Sequence, residues 1–425
     1  MRIAKSILIL IFLVLWGCSH KPASNPSKQK IRFAFWGSPE EVKIISSIIT
    51  DWEKIHPNVD VVLEHTPYGG YASKILTRIA GGDAPDIMAA EVSLFTNFWG
   101  KGVFLDLTSF IKNDKTFSLN DFFPPIVDHF TIDGKVYGIP RDVAPFACIY
   151  YNKSLFDQAG IPYPCDDWTW DDLLEIAKKL TVYDKNGRVK RYGFYTWAWQ
   201  NFVLSNGGSL VDDVKHPTEL TLDSLQAKEG LQFYVDLIHK YKVSPTPSAL
   251  INMGMGVQMM FMTGRLAMLG SGIWETPALR NIQNFDWDVV MFPKSPRGIR
   301  RFATGGTAYC ILKTSKNPKL AWEVVKALTS VQAMERMAST GLAQPARISV
   351  AEGPYWAGNK QKPLNKGMLN TAVKYIVFPP FHPRWREVEE LYLKPELDLV
   401  FNGQKDLDSA LEKIVTEGNK ILSSK

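Results

Sequence analysis

The chain is poor in the residues on which metal and redox chemistry depend. Four cysteines and seven histidines are scattered through 425 residues. None has the spacing of a zinc or haem site, so neither a metal centre nor a cofactor is expected. A Gly-x4-Gly-Lys-Ser/Thr loop, a Gly-x-Ser-x-Gly elbow and a His-Glu-x-x-His helix are also missing, which removes the simplest nucleotide-binding, hydrolase and metalloprotease readings. Charge of one sign is never concentrated. Lys and Arg number 49 against 43 Asp and Glu, and the densest basic spot is the short run Gly298-Ile299-Arg300-Arg301-Phe302. The basic face of a nucleic-acid binder is therefore lacking, and no nucleic-acid partner is expected. No apolar run reaches the roughly 18 residues that a spanning helix needs.

What the chain does have is bulk. At 45% hydrophobic and 22% charged it falls in the globular class, and its length implies two or three domains at about 150 residues each.

The N-terminus sets the compartment. Arg2 and Lys5 precede an apolar stretch over 7–16, which fits the core of a signal peptide. Leu15-Trp16-Gly17-Cys18 then resembles a bacterial lipobox. Residues 1–17 are expected to be removed, Cys18 to carry lipid, and 18–30 to form a polar tether. The mature protein is thus expected outside the cytoplasm, anchored to a bacterial membrane. Cys148, Cys165 and Cys310 remain, allowing at most one disulfide.

From residue 31 onward strands and helices alternate, the mark of an α/β architecture. Ile31, Phe33 and Phe35 alternate with more polar neighbours, giving a strand. Ser38 and Glu41 have the spacing of a capping box with Pro39 at the first helical position, and the spacing of Ile44, Ile45, Ile48, Ile49 and Trp52 predicts the helix. Val59, Val61 and Leu63 supply the next strand. Thr169 and Asp172 predict a second capping box. Helices are expected near 318–329, 386–401 and 406–422, and no fixed-period repeat is present.

Several segments, in order, resemble one family: "FAFWGSPEE", "AGGDAPDI", "DGKVYGIP", "IYYNKSLFDQAGIPYP" and "TWDDLLEIAKKL". They are similar to the family 1 extracellular solute-binding proteins, the capture subunits of bacterial carbohydrate ABC importers, of which maltose-binding protein is one. The resemblance covers almost all of the chain after residue 31. It implies a two-lobe, type II periplasmic-binding-protein-like fold, each lobe a mostly parallel sheet flanked by helices, with the ligand cleft between them. Lobe one would be 31–142 plus 305–345, and lobe two 143–304 plus 346–425. It also implies hinge strands near 141–147 and 305–307, a permease as partner, and a monomer.

A sugar site needs flat aromatic platforms together with side chains that hydrogen-bond hydroxyls in fixed directions. Among 13 tryptophans, the candidates are Trp36, Trp197, Trp199, Trp274, Trp356 and Trp385, those in loops or at element ends. Trp274 and Trp385 fall where the resemblance places stacking aromatics. Ser38, Glu91 and Asp142 are the expected hydroxyl partners, joined by Tyr68, Tyr71, Arg347 and the hinge residue Gly306. Trp52, Trp168, Trp170, Trp287 and Trp322 sit in helical or strand patterns and are expected in the core. Two other readings stay open: a lipid-anchored sensor serving a histidine kinase, and a secreted glycosidase using paired carboxylates such as Asp166-Asp167 or Asp171-Asp172. For Asp171 and Asp172, a helix's first turn is the better home.

Overall fold

The computed structural model describes residues 28–424. The expected signal peptide and the lipidation site Cys18 lie outside the described residues. Among the described residues, no helix is long and apolar enough to cross a membrane.

Two five-stranded sheets form the frame. The first runs Val59–His65, Gln29–Phe35, Ile87–Glu91, Thr307–Ile311, Ile139–Pro140. Its first three strands are parallel and joined by crossover helices, including Pro39–Ile55, whose Ile45, Ile48, Ile49 and Trp52 are buried as the spacing predicts. The second runs Trp287–Met291, Cys148–Asn152, Leu266–Ser271, Val189–Thr196, Val182–Tyr183.

Both sheets are mixed, where mostly parallel ones were expected. Thr307–Ile311 lies antiparallel to both its neighbours, and Cys148–Asn152 antiparallel to both of its own. The reason is the route of the chain. Each of these strands follows directly from a crossing between the sheets, so it starts at the cleft edge and runs away from it. Ile87–Glu91, by contrast, arrives at that edge from behind.

The crossings themselves pair. Asp142–Pro145 and Phe302–Gly305 run antiparallel, with Gly305 opposite Ala144, and carry Gln344–Pro345 and Ile376–Val377 on their outer sides.

The capping box at Thr169 is complete, with side chain and backbone bonded reciprocally to Asp172. The one expected at Ser38 is half made: Ser38 Oγ accepts from the Glu41 amide at 3.3 Å, while the Glu41 carboxylate turns to Arg141. The expected helix over 386–401 is broken into Trp385–Val388, a π-helical turn Glu389–Leu393, and Lys394–Phe401. Cys148 and Cys310 are buried free thiols and Cys165 is an exposed one, so no disulfide forms among the described residues.

Candidate functional site

Between the two sheets lies a cleft of about 770 Å³. Its walls are the ends of strands and the loops that follow them, where open α/β sheets bind ligands. On one side Trp36 and Ser38 follow the strand Gln29–Phe35, and Tyr68 opens the helix Tyr68–Ala80. Opposite them stand Phe146, Trp197 and Trp274.

The two walls are built differently. Trp36 meets Tyr68 edge to face at 5.5 Å and the ring of Tyr71 at 5.0 Å. Trp197 and Trp274 lie near-parallel at 6.1 Å and 28°, and Phe146 meets both edge-on. Trp274 folds back over Gly272: a Cβ at that position would fall 1.9 Å from the indole. The Trp197 indole N–H donates to Ser271 Oγ at 3.4 Å, and Ser271 Oγ donates to Glu275 Oε1 at 2.9 Å. Exposed rings of this kind offer apolar faces to the C–H side of a sugar.

The floor is polar and buried. Arg141 Nε donates to Asp142 Oδ2 at 2.5 Å, and its Nη1 pairs with Glu41. Asp142 Oδ1 accepts from the Thr307 amide at 2.9 Å. One guanidinium thus neutralises two carboxylates and ties the first helix to both crossings, as fixed geometry in a buried ion cluster requires. Glu91 ends its strand and caps the helix Val92–Gly100, accepting from the Ser93 amide at 3.1 Å. Burial pushes its carboxyl up to about 7. Gly306 sits between the crossings at φ +143°, where a Cβ would meet Ile126 Cδ1 at 2.8 Å.

Of the residues singled out from sequence, Trp36, Ser38, Tyr68, Glu91, Asp142, Trp197, Trp274 and Gly306 line this cleft. Five others are placed elsewhere. Tyr71 is fully buried, its hydroxyl donating to the carbonyls of Ala34 and Ala89; it backs Trp36 instead of facing the cleft. Trp199 is buried before the helix Gln200–Ser205, and Trp356 is buried too. Arg347 donates to Thr329 O and pairs with Asp121 while its guanidinium covers the ring of Phe122 at 4.4 Å. Trp385 is buried and borders a smaller chamber beside the cleft. The five tryptophans assigned to the core are all buried.

Sequence reasoning placed Arg141, Phe146 and Thr307 in the hinge strands without naming them as cleft residues, and missed the group Arg386, Glu389, Glu390 and Lys394. Arg141 and Thr307 adjoin residues it did name, and a buried guanidinium between two carboxylates has no sequence signature. Arg386 lies in the short helix Trp385–Val388, while Glu389, Glu390 and Lys394 lie in or just after the π-helical turn, which no periodicity announces.

Two mixed sheets, paired crossings and a cleft at the strand ends define the class of the type II periplasmic-binding-protein-like fold. The chain belongs to the bacterial extracellular solute-binding protein family, whose model matches residues 36–335. It is 27% identical over 341 residues to an arabinooligosaccharide-binding protein of Halalkalibacterium halodurans, covering 75% of this chain and 72% of that one. Its structure is similar to an ABC substrate-binding protein from Listeria monocytogenes in complex with cycloalternan, at a TM-score of 0.84 and 28% identity, covering 94% of this chain and 100% of the other. The maltose-bound MalE3 of T. maritima shares the fold at a TM-score of 0.78 and 22% identity, over 92% and 99% of the two chains.

Proposed function

We propose that this protein is the extracytoplasmic, sugar-binding subunit of an ABC importer, held at the membrane through lipid on Cys18. It captures a saccharide reversibly, without breaking bonds, and presents it to a permease as a monomer. The observation that carries this reading is the pair of facing aromatic walls, Trp36 with Tyr68 and Trp197 with Trp274, over a floor of buried, fixed polar groups. Stacking on both ring faces and a handful of hydrogen bonds at about 1 kcal/mol each reach the roughly −8 kcal/mol of a micromolar complex.

In this reading lobe one is 31–142 with 305–345, lobe two is 143–304 with 346–425, and the lobes close about the paired crossings. Closure requires the saccharide to bind the closed form better than the open one, which contacts from both walls supply. Trp36, Ser38, Tyr68, Glu91, Asp142, Trp197 and Trp274 touch the ligand.

Isothermal calorimetry against a panel of mono- and oligosaccharides, with chromatography of each sugar afterwards, tests the proposal. Micromolar binding with every sugar recovered unchanged is expected. Hydrolysis of any of them, or binding confined to amines, peptides or metal ions, would overturn it.

A further inference from the structure

The wall that carries Trp197 and Trp274 is held by residues outside the cleft. Thr196 pairs with Gly270 across two parallel strands, so Trp197 and Ser271, one residue further on, come side by side at the cleft edge. Trp274 follows on the short turn Ile273–Glu275. Both indoles line the cleft, whereas Ser271, Glu275 and Gln258 do not.

Glu275 ties these parts together. Ser271 Oγ donates to its Oε1 at 2.9 Å, and Gln258 Nε2 donates to its Oε2 at 2.5 Å. Gln258 belongs to the helix Val257–Met262. Ser271, only 2% exposed, accepts in turn from the Trp197 indole N–H at 3.4 Å. Chemistry fixes the direction of this relay. A carboxylate only accepts, so the Ser271 proton points at Glu275 and a hydroxyl lone pair is left for the indole. The backbone of the same turn is held separately. The buried Tyr150 hydroxyl lies 3.2 Å from the carbonyls of Gly272 and Ile273 and 3.1 Å from Thr276 Oγ1.

We propose that Glu275 is a positioning residue for saccharide capture, an inference that rests on the saccharide reading above. Through Ser271 it sets the Trp197 ring, and through the turn that it shares with Trp274 it sets the other, giving the near-parallel pair. A sugar that stacks on two fixed rings need not order them, whereas free indoles would lose their rotamer freedom at the moment of binding.

The test reads the rings directly. Trp197 and Trp274, at 6.1 Å and 28°, are the only two tryptophans in ring contact among the described residues. Indoles so placed couple, and give an exciton couplet in far-ultraviolet circular dichroism. Trp274→Phe defines the spectrum without it. Glu275→Ala is expected to give that same spectrum and to bind maltotriose or arabinotriose about tenfold more weakly by calorimetry. Glu275→Gln keeps an oxygen for Ser271, and the Gln258 amide can turn to offer its own. This variant is expected to restore both the couplet and the affinity. Where Glu275→Ala does not fold, Ser271→Ala severs the same relay and is expected to lose the couplet in its place.

A couplet that survives the loss of the relay overturns the inference, whatever happens to the melting temperature. So does a wild-type spectrum equal to that of Trp274→Phe, because the rings are then not held. Failure of Glu275→Gln to restore what Glu275→Ala removes overturns it as well. The couplet belongs to the free protein. A wild type silent toward every saccharide therefore removes the saccharide reading, and the couplet alone then decides the role of Glu275.

Discussion

Tyr71 and Trp274 show how two aromatic side chains of one site divide their work. Trp274 is 38% exposed on the cleft wall, whereas Tyr71 is fully buried with its hydroxyl on two carbonyls. Trp274→Ala is therefore expected to weaken saccharide binding by about 1–2 kcal/mol with little change in unfolding free energy. Tyr71→Phe should do the opposite, lowering stability by about 1–3 kcal/mol at unchanged affinity. Calorimetry and urea unfolding on both variants check the pair. Glu91 adds a pH signature. Its carboxyl is raised from the ordinary 4.5 to about 7 by burial. A raised acid contributes its full stability below pH 4.5 and loses it as pH climbs through 7. Glu91→Gln should then raise the melting temperature at pH 8 and leave it nearly unchanged at pH 4. Equal shifts at both pH values would remove the buried-charge account. Sequence placed Trp36, Trp197 and Trp274 in loops or at element ends, and they lie after a strand, in a loop and in the short 3-10 turn Ile273–Glu275, but composition could not tell them from Trp199 and Trp356. Which face of a loop tryptophan is covered depends on what arrives from elsewhere in the chain, and that information is not local.

At the scale of elements, the paired crossings and the interrupted helix decide the shape of the cleft. Gly306 holds a positive φ where any Cβ meets Ile126, so Gly306→Ala is expected to cost roughly 1–3 kcal/mol of stability, read by urea unfolding. Arg141→Ala strands Glu41 and Asp142 as buried, unpaired carboxylates and should cost about 3–5 kcal/mol, read the same way at neutral pH. The helices over 39–55, 170–180 and 407–423 were legible because caps and 3.6-residue spacing agree there. The cleft side of the segment 385–401 was not. A single extra residue in the π-helical turn Glu389–Leu393 rotates everything after it relative to the expected face. Likewise, the strand directions of Thr307–Ile311 and Cys148–Asn152 follow from where the chain crosses, which alternation of apolar residues cannot encode.

For the molecule as a whole, a ligand that bridges both walls must couple binding to shape and to stability. Saturating saccharide at about 100 times Kd is expected to stabilise the protein by about 2.7 kcal/mol, visible as a higher melting temperature. The radius of gyration from small-angle scattering should fall at the same time. A melting shift without compaction would mean that the lobes do not close on the sugar. The route of the chain carries a further consequence, for biosynthesis. Thr307–Ile311 fills the gap between Ile87–Glu91 and Ile139–Pro140, yet it emerges only after the whole second sheet has been made. Until then the nascent N-terminal third carries a bare edge of unpaired amides, a template for misassociation, and it cannot finish folding early. Such delay suits the exported chain proposed above, which would thread a translocation pore before it becomes compact.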